Sequence, residues 1–432
     1  MSETQKQNPP NPRACAVRAL EWVFAKHRPL DLFLEQDQRF LALPVRDRAL
    51  CRAIIGTSLR RFGQIELLLA DLLAKPLPKA AITARQILRA GAAELLYLRS
   101  APHGVVNSFV QLAGQIRKAR PYKGLINAIL RRIAREDIAQ LAAKPQISNI
   151  PTWPGENWER YYGSGTRERA AISVSEPPAL DLTILDDPDV WAKQLGGTRL
   201  GQQTVRLQQK GRVEDIAGYA QGKWIVQDAS AALPVQLLSP KPGELIADLC
   251  AAPGGKTMQM AHAGAVVSAF DHKKSRLVRL EENLARTSLS ATLICGDAAK
   301  WRPTSKFDAV LLDAPCSATG IFRHHPDVLY NRRASDVPVL AEAQLALALN
   351  AAKFLKKSAR MIYCVCSAEP EEGEQVIEKL LEQGSLRLAP FTSEEAGFAA
   401  PFLSQGMIRI VPGALGEQGG MDAFFIARLI KP

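Results

Sequence analysis

The sequence predicts a multidomain chain: an all-helical bundle, a small α/β connecting domain, and a doubly wound α/β domain built around a glycine turn. Three observations carry this. Apolar residues recur three and four apart from Arg13 to about Arg135, proline and aromatic residues punctuate the stretch that follows, and from Trp224 onward short apolar runs alternate with amphipathic ones. The boundaries fall at 1–135, 136–222 and 223–432.

In the first domain the apolar pattern runs through Val17, Leu20 and Phe24, then Leu50 and Ile54, Leu68 and Leu72, Ile87, Leu88 and Leu95, and Val106 and Val110. Pro29, Pro44, Pro76 and Pro102 interrupt it, because proline lacks the amide proton a helix interior needs. Five or six helices are expected, preceded by a frayed polar tail over residues 1–12. The net charge of +12 is unevenly spread: residues 1–150 hold 24 Lys and Arg against 11 Asp and Glu, and the other 282 hold 31 against 32. Its cations gather at Arg46, Arg48, Arg52, Arg60 and Arg61, and again at Arg117, Lys118, Arg120, Lys123, Arg131 and Arg132. An excess confined to one domain points to a polyanion, and nucleic acid is the expected partner.

The connecting domain opens with Pro151, Trp153, Pro154, Trp158, Tyr161 and Tyr162, and Leu180, Leu182 and Ile184 alternate like a strand. Its aromatic residues are read as core rather than as platforms for stacked bases.

In the third domain strands are expected at 245–250, 266–270, 291–295, 307–312, 360–365, 407–411 and 423–429, with helices between them, notably 273–287, 336–355 and 371–383. The first strand runs into Cys250, Ala251, Ala252, Pro253, Gly254, Gly255 and Lys256, and a helix follows. Such a turn presents bare backbone N–H groups and a helix N-terminus at the carboxyl end of a strand, where open α/β sheets bind nucleotide-like ligands. Gly255-Lys256-Thr257 resembles the end of a phosphate loop, but that loop requires glycine where Cys250 stands. The dinucleotide pattern of spaced glycines is missing too. Asp271 ends the next strand, sixteen residues after Gly255, and is placed to hold ribose hydroxyls. A glycine turn and a ribose-binding acid without a phosphate cradle favour S-adenosylmethionine.

Seven cysteines show no C-x-x-C pair and no matching histidine spacing, so no metal is expected, and all should be reduced. No apolar run reaches the roughly 18 residues of a membrane span, and the first residues lack a signal-peptide core, so a cytoplasmic monomer that engages no membrane is expected. Cys15, Cys51, Cys250 and Cys295 read as small core residues. Cys316, in Asp313-Ala-Pro-Cys-Ser, and Cys366, in Cys364-Val-Cys-Ser, instead follow the carboxyl ends of the fourth and fifth strands and should meet in the same crevice as the glycine turn. Two thiols beside a methyl donor suit methylation of cytosine C5: one sulfur adds to C6 and makes C5 nucleophilic, and a second group removes the C5 proton so the first can leave. Asp313 is placed to bond the base at N3 and its exocyclic amine. The chemistry alone leaves open which cysteine attacks.

These residues carry a resemblance. D-L-C-A-A-P-G-G-K-T, D-A-P-C-S-A-T-G, Y-C-V-C-S and the late D-A-F-F resemble the NOL1/NOP2/Sun family of RNA cytosine-5 methyltransferases, while V-V-N-S-F-V and L-I-N-A-I-L-R-R resemble a NusB-like RNA-binding domain. The resemblance implies a NusB-like bundle joined to a Rossmann-like class I methyltransferase that uses S-adenosylmethionine on small-subunit ribosomal RNA. It implies cofactor contacts from Cys250 to Lys256 and at Asp271, Asp297 and Asp313. Cys366 would be the nucleophile and Cys316 the releasing group, and Arg323, His324 and His325, with Pro326 and Asp327, match a segment near RNA. Val365, Ala423 and Thr183 depart from the family pattern, which has threonine, glycine and arginine there. Competing readings are an RNA-binding assembly factor with lapsed catalysis, against which the full set of Lys256, Asp271, Asp313, Cys316 and Cys366 argues, and a transfer RNA methyltransferase.

Overall fold

The structure, a computed structural model, describes residues 11–136, 143–208 and 211–432. The expected polar tail lies outside them except for its last two residues. Asn11 already caps the first helix, its side chain accepting from the N–H groups of Arg13 and Ala14. The chain divides into two compact units: Met1–Gly155 with Ala170–Glu176 and His324–Arg332, and Glu156–Arg169 with Pro177–Arg323 and Arg333–Pro432.

The first unit is helical: Pro12–Lys26, Leu30–Gln36, Gln38–Leu41, Val45–Arg60, Phe62–Leu72, Ile82–Leu96, Pro102–Gln115 and Lys123–Arg135. Among the described residues that is more than the five or six expected, for two local reasons. Asp37 leaves helical geometry and caps Gln38–Leu41, and Arg61 interrupts what the apolar spacing presents as one long helix. Ile82–Leu96 is buried almost all round, so even its charged residues are paired inside: Glu94 accepts from Arg13 Nε at 2.8 Å, and Arg89 donates to Glu66. The late segment His324–Arg332 belongs to this unit. Tyr330 packs against Phe24 and Phe62 and donates its hydroxyl to Leu59 O at 2.9 Å, while Asp327 accepts from the N–H of Leu30.

The second unit carries two sheets. In the smaller, β1 (Leu180–Ile184), β2 (Thr198–Leu200), β3 (Thr204–Leu207) and β4 (Trp224–Val226) run antiparallel in the order β2-β3-β1-β4. In the larger, β5 (Leu245–Leu249), β6 (Val266–Asp271), β7 (Thr292–Cys295), β8 (Phe307–Asp313) and β9 (Leu355–Val365) are parallel. They are joined by β10 (Arg387–Leu388), β11 (Leu403–Ser404), β12 (Met407–Ile410) and β13 (Phe424–Ile430), β13 lying antiparallel to β9. The order is β11-β12-β13-β9-β8-β5-β6-β7, with β10 on β13. The expected strands are all present. β9 starts earlier than expected, because its first turns carry Lys356, Lys357 and Ser358 on an exposed end that has no apolar signature. A helix at Ala229–Leu238 is additional.

The chain moves outward through β6 and β7 on one side of β5 and through β8 and β9 on the other. The direction of winding therefore reverses between β5 and β8, which opens a crevice at their carboxyl ends.

Candidate active site

The glycine turn sits at that crevice. Cys250 has φ 63° and Gly254 φ 105°, so the chain doubles back sharply into the helix Gly255–His262. A Cβ on Gly254 would fall 2.2 Å from Leu280 Cδ1, which leaves room for glycine alone. Behind the turn Asp248 is fully buried. Thr257 Oγ1 donates to its Oδ2 at 2.5 Å, its Oδ1 has no hydrogen-bond partner, and burial pushes its carboxyl up to about 7. Lys256 Nζ is bonded to Asp313 Oδ2 at 2.8 Å and lies over the Phe424 ring. Burial alone would lower the Lys256 ammonium, but Asp313 outweighs it and holds the ammonium above its ordinary value. A cavity of about 400 Å³ opens beside this pair, with Gln227, Tyr219 and Arg286 in its wall. Thr183 Oγ1 donates to Gln227, whose amide packs against Gly255, so the small sheet braces the turn.

Bare backbone, an orphaned buried carboxylate oxygen and Asp313 form a donor set that fits an ammonium-bearing, phosphate-free ligand such as S-adenosylmethionine. The other two acids expected at the cofactor stand in different surroundings. Asp271 ends β6 as predicted, but it is buried and braces the turn, accepting from the N–H groups of Ala252 and Lys273, with Arg276 Nη1 at 3.1 Å. Two backbone N–H groups and a guanidinium thus fix the orientation of its carboxylate. Asp297 is exposed after β7 and closes its own turn through Ala299 N–H.

The two thiols meet. Cys316 Sγ and Cys366 Sγ are 3.5 Å apart, and Cys364, two residues before Cys366, donates to Asp313 Oδ1 at 3.6 Å. Asp313 thus connects the lysine of the glycine turn to the thiol loops. The hydrogen bond to Cys366, with burial, holds the Cys316 thiol well above its ordinary value. Cys15 and Cys51 are buried as expected, whereas Cys250 is half-buried beside the turn and Cys295 is exposed at the end of β7, the edge strand of the sheet.

The residues that hold the thiol loops were not singled out as site residues from sequence. Glu372, fully buried, accepts from Ser317 N–H at 2.8 Å, from the hydroxyls of Ser317 and Ser367, and from Gln344 Nε2 at 2.9 Å. Gly320 N–H donates to Cys366 O, and a Cβ on Gly320 would fall 2.1 Å from Ala423 O. Trp158 and Asn157 donate to Glu369, and Tyr162 donates to Ala368 O. The aromatic residues of the connecting segment therefore support the second thiol loop, and the only advance signal was their clustering.

The residues expected at RNA divide. Arg323 is a correction: it is 2% exposed, its Nη1 lies 3.4 Å from Asp228 and 3.5 Å from Asp422, and its Nη2 donates to Gly419 O at 2.6 Å. Packed this way it holds the Leu415–Asp422 loop and has no surface for a phosphate. His324 and His325 are half-buried, and His325 Nδ1 lies 3.3 Å from Asp31. Pro326 and Asp327 are buried. Arg131 and Arg132 stand exposed on the helix Lys123–Arg135, whose other face buries Ile126, Ile129, Leu130 and Ile133.

A family model described as 16S rRNA methyltransferase RsmB/F matches residues 235–430, and the NusB family matches 10–135. The ribosomal RNA small subunit methyltransferase B of Pseudomonas putida is 32% identical over 98% of this chain and 98% of its own. The chain belongs to the RsmB/F family of 16S rRNA methyltransferases. Its fold is that of S-adenosylmethionine-dependent methyltransferases with a helical NusB domain. The crystal structure of PH0851 superposes with a TM-score of 0.76 at 20% identity, covering 97% of this chain and 99% of that one. The structure of NSun6 from Pyrococcus horikoshii with SFG does so at 0.56 and 18%, covering 65% and 98%. The glycine turn and both thiols lie within the residues matched to the methyltransferase model. Among the described residues no helix is long and apolar enough to cross a membrane.

Proposed function

We propose that the chain methylates C5 of a cytosine in small-subunit ribosomal RNA through a covalent adduct, with Cys366 as nucleophile and Cys316 as the releasing base. The 3.5 Å contact between the two sulfurs, beside the Lys256–Asp313 pair, is the observation that carries this reading. The residues from Cys250 to Lys256, with Asp248 and Asp313, would hold S-adenosylmethionine, which when bound supplies an electrophilic methyl group. Cys366 sulfur forms a bond to C6, and the electron pair of the C5–C6 double bond moves to C5. Asp313, one-third exposed and anchored by Lys256, holds the base at N3 and its amine, and so favours the charge that develops. After C5 is methylated, Cys316 takes the C5 proton, the double bond re-forms and the Cys366–C6 bond breaks. The order of roles rests on the match of Cys366 to the later cysteine motif of the family that the sequence resembles; the contact between the two sulfurs is itself symmetric. The exposed cations of the helical unit, Arg131 and Arg132 among them, would track the RNA backbone.

With labelled S-adenosylmethionine, naked ribosomal RNA should take up label and transfer RNA and DNA should not. Cys316→Ala should trap a protein–RNA adduct that survives denaturation, and Cys366→Ala should form none. Accumulation of the adduct by the Cys366 variant would reverse the two roles.

A further inference from the structure

We infer that Glu372 is the positioning residue that sets the separation of the two sulfurs, by holding the serine that follows each cysteine on one buried carboxylate. The role in turnover rests on the dithiol reading above; the role in geometry does not. Ser317 follows Cys316 on the loop after β8, and Ser367 follows Cys366 on the loop after β9. The β8–β9 ladder ends at the pair Asp313 and Cys364, and past it single bonds tie the loops, Gly320 N–H to Cys366 O at 3.0 Å and Ala368 N–H to Thr319 Oγ1 at 3.1 Å.

Glu372 adds the constraint that acts on the residue directly after each cysteine. Its Oε1 accepts from Ser317 N–H at 2.8 Å and from Gln344 Nε2 at 2.9 Å, and its Oε2 accepts from Ser367 Oγ at 2.5 Å and from the Ser317 hydroxyl. The two serine hydroxyls also lie 3.1 Å apart. Gln344 in turn donates to Pro315 O, the residue before Cys316, so three segments converge on one side chain. An ionised carboxylate has about four lone-pair sites, and four donors fill them, which makes its burial tolerable and its geometry rigid. Glu369, the other buried acid of this stretch, has a different set of partners: its carboxylate is held by Trp158, Asn157 and Thr319. The chain can aim Glu372 inward because Gly373 follows it, where a Cβ would fall 2.0 Å from Arg409 Nη2. Glu372 meets no reacting atom, so its effect is on where the sulfurs stand.

The first test uses the full chain and diamide, an oxidant that takes two electrons and two protons from a thiol pair. Peptide mapping then follows the Cys316–Cys366 disulfide. Glu372→Ala should form it about tenfold more slowly than the unaltered chain, since an ångström of misplacement is enough to remove most of the proximity effect. Glu372→Gln keeps the length and one acceptor oxygen, and its amide can donate to the hydroxyls, so it should stay within about threefold. An unchanged rate in Glu372→Ala overturns the proposal. If that variant does not fold, Ser367→Ala, which removes one of the hydroxyl holds, should still slow the disulfide by about threefold, and an unchanged rate there overturns it equally. The second test adds RNA and S-adenosylmethionine. Glu372→Ala should accumulate the covalent adduct as Cys316→Ala does, because the nucleophile still adds while the releasing sulfur is displaced. Turnover like that of the unaltered chain overturns the proposal. Failure of Cys316→Ala to trap an adduct would instead remove the dithiol reading and leave the disulfide rate to decide Glu372.

Discussion

Two groups of cations, one from each unit, have opposite fates. On the segment from Arg117 to Arg135 of the helical unit, Arg117, Lys118, Arg120, Lys123, Arg131, Arg132 and Arg135 all stand exposed. In the second unit Lys256, Arg206, Arg323 and Arg409 are buried, and each has at least one carboxylate beside it. Arg206 grips Asp181 with two nitrogens, each at 2.7 Å, and Arg409 does the same to Glu374 while donating to Ser367 O. A positive residue thus tells of an anionic partner only where its head group reaches water. Inside, it is matched by acids of the same unit and points to no outside partner.

The largest expected difference between the two kinds of cation is in stability. Arg323→Ala would leave Asp228 and Asp422 buried beside each other without the guanidinium between them, and removing one partner of a buried ion pair typically costs about 3–5 kcal/mol. Denaturant unfolding should show that loss, while the salt dependence of RNA affinity stays as it was. A stable Arg323 variant with weakened RNA binding would return this residue to the RNA surface and erase the contrast.

The same contrast sets how far the sequence could be read. Period and punctuation reveal β5, β6 and β8 because parallel strands buried on both faces are continuous apolar runs, and the strand ends place Cys316 and Cys366 together by topology alone. What fails is burial of a single charged side chain. Arg323 and Arg131 are each an arginine beside polar neighbours, and nothing local distinguishes the one that closes on Asp422, ninety-nine residues later, from the one that faces solvent. Glu372 was equally hidden: in an acidic run it looks like a solvated surface, and its four donors come from segments brought near only by the sheet. Asp271 was correctly placed at a strand end, but its inward turn depends on Arg276 a helical turn away.

A smaller effect is expected at Asp248, a buried acid with no opposing cation on its own carboxylate. Its folded value, pushed up to about 7, lies above that of an unfolded aspartate. Between about pH 4 and 7 the folded chain keeps a proton that the unfolded chain has released, so stability falls as pH rises through that window and is lowest above it. Asp248→Asn removes this dependence. The stability of the variant should gain on the unaltered chain by an amount on the order of 3 kcal/mol from pH 4 to 7, followed by thermal melts across that range. Parallel pH curves for the two chains would mean that Asp248 is charged in the fold throughout and that a compensating cation holds it.

The smallest effect, and the one that sharpens the contrast most, is at the exposed cations. The Arg131 side chain donates to Asn127 of its own helix, and Arg132 pairs with Glu136 at the surface, where an ion pair is worth about 0–1 kcal/mol. Replacing both with Gln should therefore leave unfolding within about 0.5 kcal/mol. It should also flatten the dependence of RNA affinity on salt, by a slope of about 0.7–0.9 for each cation that neutralises a phosphate. Replacing Arg46 and Arg52, exposed on the helix Val45–Arg60, provides the internal comparison. If only the Arg131 and Arg132 pair flattens the slope, the backbone runs along the helix Lys123–Arg135. If the two pairs act alike, the helical unit attracts RNA by its total charge; and if neither acts, exposure of a cation here marks solubility rather than a partner.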